Sequence, residues 1–266
     1  MNFKTFNFHP SVAAGVAAAG YETPTPIQAR AIPQIFKGDD VMGLAQTGTG
    51  KTAAFVLPIL NRLEGSKHGC VRALVIAPTR ELAEQIHQAI ETLGRKTRIR
   101  SVTVYGGVGI NPQIQKLKHA DIVVACPGRL LDHIRRGNID LSQLEVLVID
   151  EADRMLDMGF IPDIRQILKH LPAKHQTLVF SATMPPQIRR LAGDILRDPA
   201  TVQVGITAPA DTVSHALSPV ARHLKTALLL TLLGNTNTRS VLVFTRTKHR
   251  ARSLGKKLVA AGYRSA

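Results

Sequence analysis

The stretch "MGLAQTGTGKTAAF", residues 42–55, decides how the rest of the chain is read. An apolar run enters a glycine-rich turn, and the turn opens into a helical segment that starts near Lys51. Gly48 and Gly50 let the backbone turn its N–H groups inward, toward the oxygens of a phosphate. The N-terminus of the following helix adds partial positive charge at the same point. Lys51 would neutralise the outer phosphates of a nucleotide, as a candidate catalytic group, and the Thr52 hydroxyl would bind Mg2+. The strict pattern G-x-x-x-x-G-K-[ST] wants glycine where this chain has Ala45. If that position needs only a small side chain, one methyl group does not abolish binding. Ala45, Gln46, Thr47, Gly48, Thr49, Gly50, Lys51 and Thr52 are therefore read as a nucleotide-binding loop.

Such a loop needs a second metal ligand. "VLVIDEADRML", residues 146–156, supplies it as an apolar strand that ends in two acids. Asp150 would hold Mg2+ through water, and Glu151 would orient or deprotonate an attacking water. Alone, an Asp-Glu pair at a strand end is an ordinary solvated turn. Paired with the loop, it is read as a metal and catalytic site.

The chain has 266 residues and 44% hydrophobic content, enough for one α/β domain with a full core and part of a second. Lys and Arg number 34 against 19 Asp and Glu, a formal net charge of +15. That surplus suits a polyanion, nucleic acid first and an anionic membrane face second. Two cysteines, Cys70 and Cys126, make neither a disulfide framework nor a zinc site. The N-terminus carries no signal-like pattern, and no apolar run approaches the length of a membrane span. A soluble, reducing, cytoplasmic location and no membrane partner are expected.

Short apolar runs alternate with helical patterns along the chain. The expected strands are 41–45, 73–77, 101–105, 121–125, 146–150, 177–182, 201–204 and 241–245. Most are continuous rather than alternating, as strands buried on both faces of a parallel sheet must be. "RELAEQIHQAIETL" (80–93) places Leu82, Ile86, Ala89, Ile90 and Leu93 on one helical face. The alternation predicts an α/β fold with a doubly wound parallel sheet, whose ligands sit beyond the carboxyl ends of the strands. The stretch 205–219, rich in Pro, Thr and small residues, reads as a linker. A helix near 222–233, the strand 241–245 and a helix near 248–261 follow it.

Taken together, these motifs resemble the DEAD-box ATP-dependent RNA helicases. The family's name-giving tetrapeptide is Asp150-Glu151-Ala152-Asp153, and "AQTGTGKT" is the family's form of the loop. "GYETPTPIQ" (20–28), "APTRELA" (77–83), "YGG" (105–107), "CPGR" (126–129), "SAT" (181–183) and "VLVFTRTKHRA" (241–251) resemble its other motifs in order and spacing. Singly, several are nearly worthless, but jointly they are specific and span almost the whole chain. The opening "MNF" points to the bacterial RhlE-type branch.

The resemblance implies a RecA-like fold of the P-loop NTPase kind over residues 1–207, a linker over 208–219, and over 220–266 the truncated start of a second RecA-like domain. It implies ATP and Mg2+ as cofactors. Gln28 would read the adenine edge, and Tyr21 or Phe3 would stack on the base. Thr79, Arg80, Gly106, Gly107, Gly128 and Arg129 would grip RNA through its phosphate backbone, without reading sequence. Arg80 and Arg129 serve equally well as structural ion pairs. Asp153, Ser181 and Thr183 would couple nucleotide state to the rest of the domain.

The implied function is local, ATP-driven separation of RNA duplexes, with partners in RNA processing or ribosome assembly. Cys126 stands where the family usually has threonine. No "HRxGRxGR" motif, whose arginines complete the family's ATP site, occurs in these residues. Weak turnover by the chain alone is therefore expected. Two other readings compete: a non-enzymatic module that binds nucleotide and RNA, and a DNA helicase or other P-loop ATPase. The "TPIQ" segment argues against the latter.

Overall fold

The computed structural model describes residues 2–65, 68–205, 214 and 216–265. They fall into two compact units, Met1–Ile206 and Thr207–Ala266. In the first unit, seven strands form one sheet: β1 (Val41–Leu44), β2 (Ala73–Ile76), β3 (Ser101–Val104), β4 (Ile122–Ala125), β5 (Val146–Ile149), β6 (Gln176–Ser181) and β7 (Ala200–Gln203). Their order is β3-β4-β2-β5-β6-β1-β7, and every pairing is parallel.

Among the described residues of this unit, nine α-helices cover the sheet. They are α1 (Pro10–Ala18), α2 (Pro26–Lys37), α3 (Lys51–Leu63), α4 (Arg80–Leu93), α5 (Ile110–Leu117), α6 (Pro127–Arg135), α7 (Ala152–Asp157), α8 (Ile161–Leu168) and α9 (Pro186–Ile195). Two apolar clusters show how they are layered. Val75, Val124, Val148 and Phe180 pack with residues of α1 to α4. Their chain neighbours Ile76, Val123, Ile149 and Val179 pack with residues of α5 to α9 on the other face. Successive side chains of a strand point to opposite faces, so a run such as Ala73–Ile76 must be apolar throughout to serve both clusters.

β1, which leads into the glycine-rich loop, lies between β6 and β7. Gly43 is the reason it fits there. A Cβ on Gly43 would stand 2.4 Å from the ring of Phe180, which is fully buried and packs 5.4 Å from the ring of Phe55.

The described residues of the second unit hold a 3-10 turn (Arg222–Leu224) and two helices, α10 (Lys225–Gly234) and α11 (Lys248–Ala260). The expected strand 241–245 is not formed. A strand is held by a hydrogen-bonded neighbour, and among the described residues none pairs with this segment. Its Leu242 and Phe244 side chains are 79% and 87% exposed. Of the expected linker, residues 208–213 and 215 lie outside the described residues.

Gly43→Ala should destabilise the fold by about 1–3 kcal/mol through overpacking. In urea unfolding, Phe180→Leu in the same chain should restore part of the loss. An unchanged midpoint for Gly43→Ala would show that the Phe180 contact does not constrain β1.

Candidate functional site at the carboxyl edge of the sheet

Parallel strands put all their carboxyl ends on one edge. The phosphate loop leaves β1, the acids follow β5, and Ser181 and Thr183 end and follow β6. These three strands are neighbours in the order β5-β6-β1.

In the loop, Gly48 and Gly50 have φ of 84° and 92°, a region that disfavours any side chain. Ala45 is buried at the end of β1 within the core cluster, and its N–H donates to Ser181 O at 3.1 Å. Its φ is not positive, so a methyl group is accommodated where the strict pattern asks for glycine. Gln46, Thr47 and Gly48 are exposed, and the Thr49 hydroxyl donates to Gln46 O at 2.7 Å. Lys51 is buried, with Nζ donating to Ala45 O at 2.7 Å. Its ammonium is thus folded back into its own loop. Thr52 is half-buried beside it at the start of α3.

Gln28, at the third position of α2, is also buried. Its Oε1 accepts from Thr25 N–H at 2.9 Å, and its Nε2 donates to Gly50 O at 3.1 Å. One N–H and one lone pair of the amide remain. Gln28 is therefore bound directly to the phosphate loop, and a Cβ on Gly50 would collide with it at 2.5 Å. Phe3 is buried, and Tyr21 packs edge-on against it with ring centroids 5.6 Å apart. Tyr21 also lines a small pocket of about 280 Å³ with Gln85, Gln88 and Thr92 of α4.

Asp150 is 2% exposed. Burial pushes its carboxyl up to about 6, against the opposing pull of the Lys51 ammonium. A carboxylate so placed favours an added cation. Glu151 has φ 51°, a left-handed conformation that costs a non-glycine residue about 1 kcal/mol or more. Its carboxylate meets Arg154 at 3.1 Å.

The second group of candidates lies over β2, β4 and β3, the other end of the same edge. Thr79 caps α4, its hydroxyl accepting from Leu82 N–H at 3.2 Å. The Arg80 guanidinium lies 5.0 Å from the centre of the Tyr105 ring. The Tyr105 hydroxyl in turn bonds Glu84, which holds the Glu84 carboxyl below its usual range and pushes the phenol up. Gly106 and Gly107 are exposed after β3, and nothing stands within 4 Å of a Cβ placed on either. Gly128 is exposed at the start of α6. Arg129 donates to Val108 O at 3.0 Å and faces Asp132 at 3.7 Å. The arginines thus tie the three loops together. Cys126 is half-buried, and burial, aided by Glu81, pushes its thiol up to about 11. It is a poor nucleophile at neutral pH.

Sequence reasoning missed His133, Gln113 and Glu84. Buried His133 bonds Gln113 at 3.0 Å, and the Gln113 amide donates to Tyr105 O at 3.0 Å, which anchors the Gly106–Gly107 turn from below. No local pattern announces that chain, because its members come from α6 and α5 and the end of β3. Glu84 was legible, since it lies four residues after Arg80 on one helical face.

The family model for DEAD/DEAH box helicases matches residues 25–191, well over half of the chain. The chain belongs to the DEAD/DEAH box helicase family.

Among its relatives, ATP-dependent RNA helicase CshA of Limosilactobacillus reuteri is 42% identical over 268 residues, which take in 100% of this chain and 54% of the relative. DEAD-box ATP-dependent RNA helicase RhpA of Helicobacter pylori is 42% identical over 266 residues, 99% of this chain and 54% of the relative. The chain spans about half the length of the curated relatives it matches. The crystal structure of a DEAD box protein from Methanococcus jannaschii aligns with a TM-score of 0.75 and 35% identity, over 99% of this chain and 71% of that one.

The remaining acid of this DEAD-box tetrapeptide is tied to β6. Asp153 Oδ2 accepts from both the N–H and the hydroxyl of Thr183, each at 2.8 Å. The Ser181 hydroxyl accepts from Asp153 N–H at 3.2 Å and donates to Thr183 O at 2.7 Å. Burial raises the Asp153 carboxyl, but these bonds outweigh it and hold the group below its usual range.

The raised Asp150 carboxyl has a measurable cost. Its folded value of about 6 lies above the ordinary value near 3.9, so the folded state binds the proton more tightly. Stability therefore falls as pH rises from about 4 to 6, and the cost is complete above that window. In EDTA at pH 7.5, Asp150→Asn should raise stability by up to roughly 3 kcal/mol, about two units at 1.36 kcal/mol each. The gain should vanish near pH 4. A Tm difference that does not change with pH would contradict the assignment.

Proposed function

We propose that this chain binds ATP with Mg2+ over β1, β5 and β6, binds RNA backbone over β2, β4 and β3, and serves as the ATP-binding half of an RNA helicase. The observation that carries the reading is the phosphate loop clasped by Gln28 on one side and faced by buried Asp150 on the other. The printed names of the relatives, ATP-dependent RNA helicases, support the substrate pair.

The loop residues 45–52 would wrap the phosphates with backbone N–H groups, and Lys51 would leave Ala45 O for the outer phosphates. Mg2+ fits the donor set: a hydroxyl on Thr52 and a desolvated carboxylate on Asp150. When bound, it would neutralise charge between the outer phosphates. Glu151 would position the attacking water. Gln28 has one donor and one acceptor left for the adenine edge, and Tyr21 or Phe3 would flank the base. Because the same amide holds Gly50 O, base recognition would report directly on the loop.

Thr79, Arg80, Gly106, Gly107, Gly128 and Arg129 would hold phosphates, with both arginines already oriented by Tyr105 and Val108. The bonds joining Asp153, Ser181 and Thr183 would pass the state of the acids to β6. Residues 1–207 would form the RecA-like ATP-binding domain and 220–266 the beginning of a second. A cytoplasmic setting and partners in RNA processing or ribosome assembly agree with this reading. No helix among the described residues is long and apolar enough to cross a membrane.

Equilibrium binding of a fluorescent ATP analogue tests the nucleotide site. Lys51→Ala should abolish binding, and unchanged affinity would sink the loop assignment. Gln28→Ala should weaken ATP clearly more than inorganic triphosphate, which feels only the lost bond to Gly50 O. Equal losses for both ligands would refute an adenine role.

A further inference from the structure

β3 is the outermost strand of the sheet and pairs only with β4. Along its open side runs a groove of about 570 Å³ between α4 and α5, with Ile99 and Val102 among its lining and Arg100, Lys116 and His119 at its rim. The sequence around it is one-sided in charge. Between residues 94 and 120 stand Arg95, Lys96, Arg98, Arg100, Lys116 and Lys118, with no Asp or Glu. All six cations are exposed, and none has a salt bridge among the described residues. The acid that lines the groove, Glu91, accepts from the Ser101 hydroxyl at 2.9 Å.

We propose that this groove is a second RNA-backbone surface, which takes the single-stranded flank as it leaves the contacts over β2, β4 and β3. The inference rests on the RNA reading above and extends it to a place that none of the helicase motifs touches. Geometry supports it. The candidate RNA contacts step outward across neighbouring strands, from Arg80 after β2, through Arg129 after β4, to Gly107 after β3. Among the described residues there is no strand beyond β3, so a strand of RNA that continues outward would turn down this edge. β3 is four residues long, roughly 13 Å, and Arg100 lies at its far end.

Exposed cations on an edge strand also guard against unwanted strand pairing. A protein partner that added a strand here would find little to bond. Val104 turns its carbonyl to β4, where Cys126 N–H donates to it at 2.8 Å, and Val102 shares that orientation. Only Ser101 and Thr103 of the strand turn their ladder groups outward. Two residues make a poor ladder, whereas a phosphate chain needs only the row of free charges.

The test compares the salt dependence of binding for two single-stranded oligoribonucleotides, one of about five and one of about twelve nucleotides. The chain with Arg98→Ala, Arg100→Ala and Lys116→Ala together should lose slope on the longer RNA by about 2, roughly 0.7 per lost phosphate contact. The shorter RNA and the ATP analogue should bind as before. Arg98→Lys with Arg100→Lys should keep the full slope, because the charges remain. An unchanged slope on the longer RNA would overturn the inference. So would equal losses on both RNAs, which would place these residues within the core track. So would polyglutamate that binds the parent chain but not the triple variant without affecting RNA, which would assign the patch to an acidic protein. If the parent chain binds neither RNA, the RNA reading itself fails, and this extension with it.

Discussion

Parallel pairing is the constraint on which the rest of the structure depends. Because β1 to β7 all run the same way, seven carboxyl ends share one edge, and the loops that leave them are brought together from positions more than a hundred residues apart. Strand order then divides the edge. The phosphate loop, Asp150 and Ser181 belong to the neighbours β1, β5 and β6. Arg80, Arg129 and Gly107 belong to β2, β4 and β3. The boundary falls between β2 and β5, so the two groups adjoin without overlapping. The Gly43–Phe180 contact that seats β1 is part of the same arrangement, since β1 carries the loop between β6 and β7.

The β1–β6–β5 side of the edge, the proposed nucleotide side, is held in conformations that cost stability. Asp150 is a carboxylate in the core, Glu151 is left-handed without being glycine, and Gly50 leaves no room for a side chain beside Gln28. The β2–β4–β3 side, the proposed RNA side, is built differently. Its arginines are exposed or half-buried and rest on neighbours: Arg80 on the Tyr105 ring, Arg129 on Val108 O. A desolvated acid favours a bound cation, and pre-oriented guanidinium groups lose less freedom when they meet phosphate. Between the two sides, the bonds from Asp153 to Thr183 join the acid-bearing turn to β6.

Much of this was legible in the chain itself. Strands buried on both faces read as unbroken apolar runs, and all seven strands of the sheet formed within a residue of the expected segments, although β3 and β7 alternate with Ser101, Thr103, Thr201 and Gln203. The glycine-rich loop, the acids and the Ser181–Thr183 segment could be placed at one sheet edge because each is a short local pattern at a strand end. What the sequence could not show is who touches whom. Nothing local to Gln28 shows its partner, yet it is buried against Gly50 because α2 packs on α3. The His133–Gln113–Tyr105 chain joins elements that no local pattern links. The segment 241–245 has every local feature of a strand, but a strand is made by its neighbour, and no described residue pairs with it. Cys126, a threonine position in the family pattern, is made inert by burial rather than by its chemistry.

On the proposed reading, one sheet edge carries two adjoining but distinct ligand sites. Backbone amide NMR of the 266-residue chain, titrated separately with Mg·ATP and with single-stranded RNA, tests it most directly. Mg·ATP should shift the amides of residues 45–52, 150–151 and Gln28, while RNA shifts those of 79–80, 105–108 and 126–129. If both ligands move the same amides, or if ATP leaves residues 45–52 unmoved, the division of the edge is wrong.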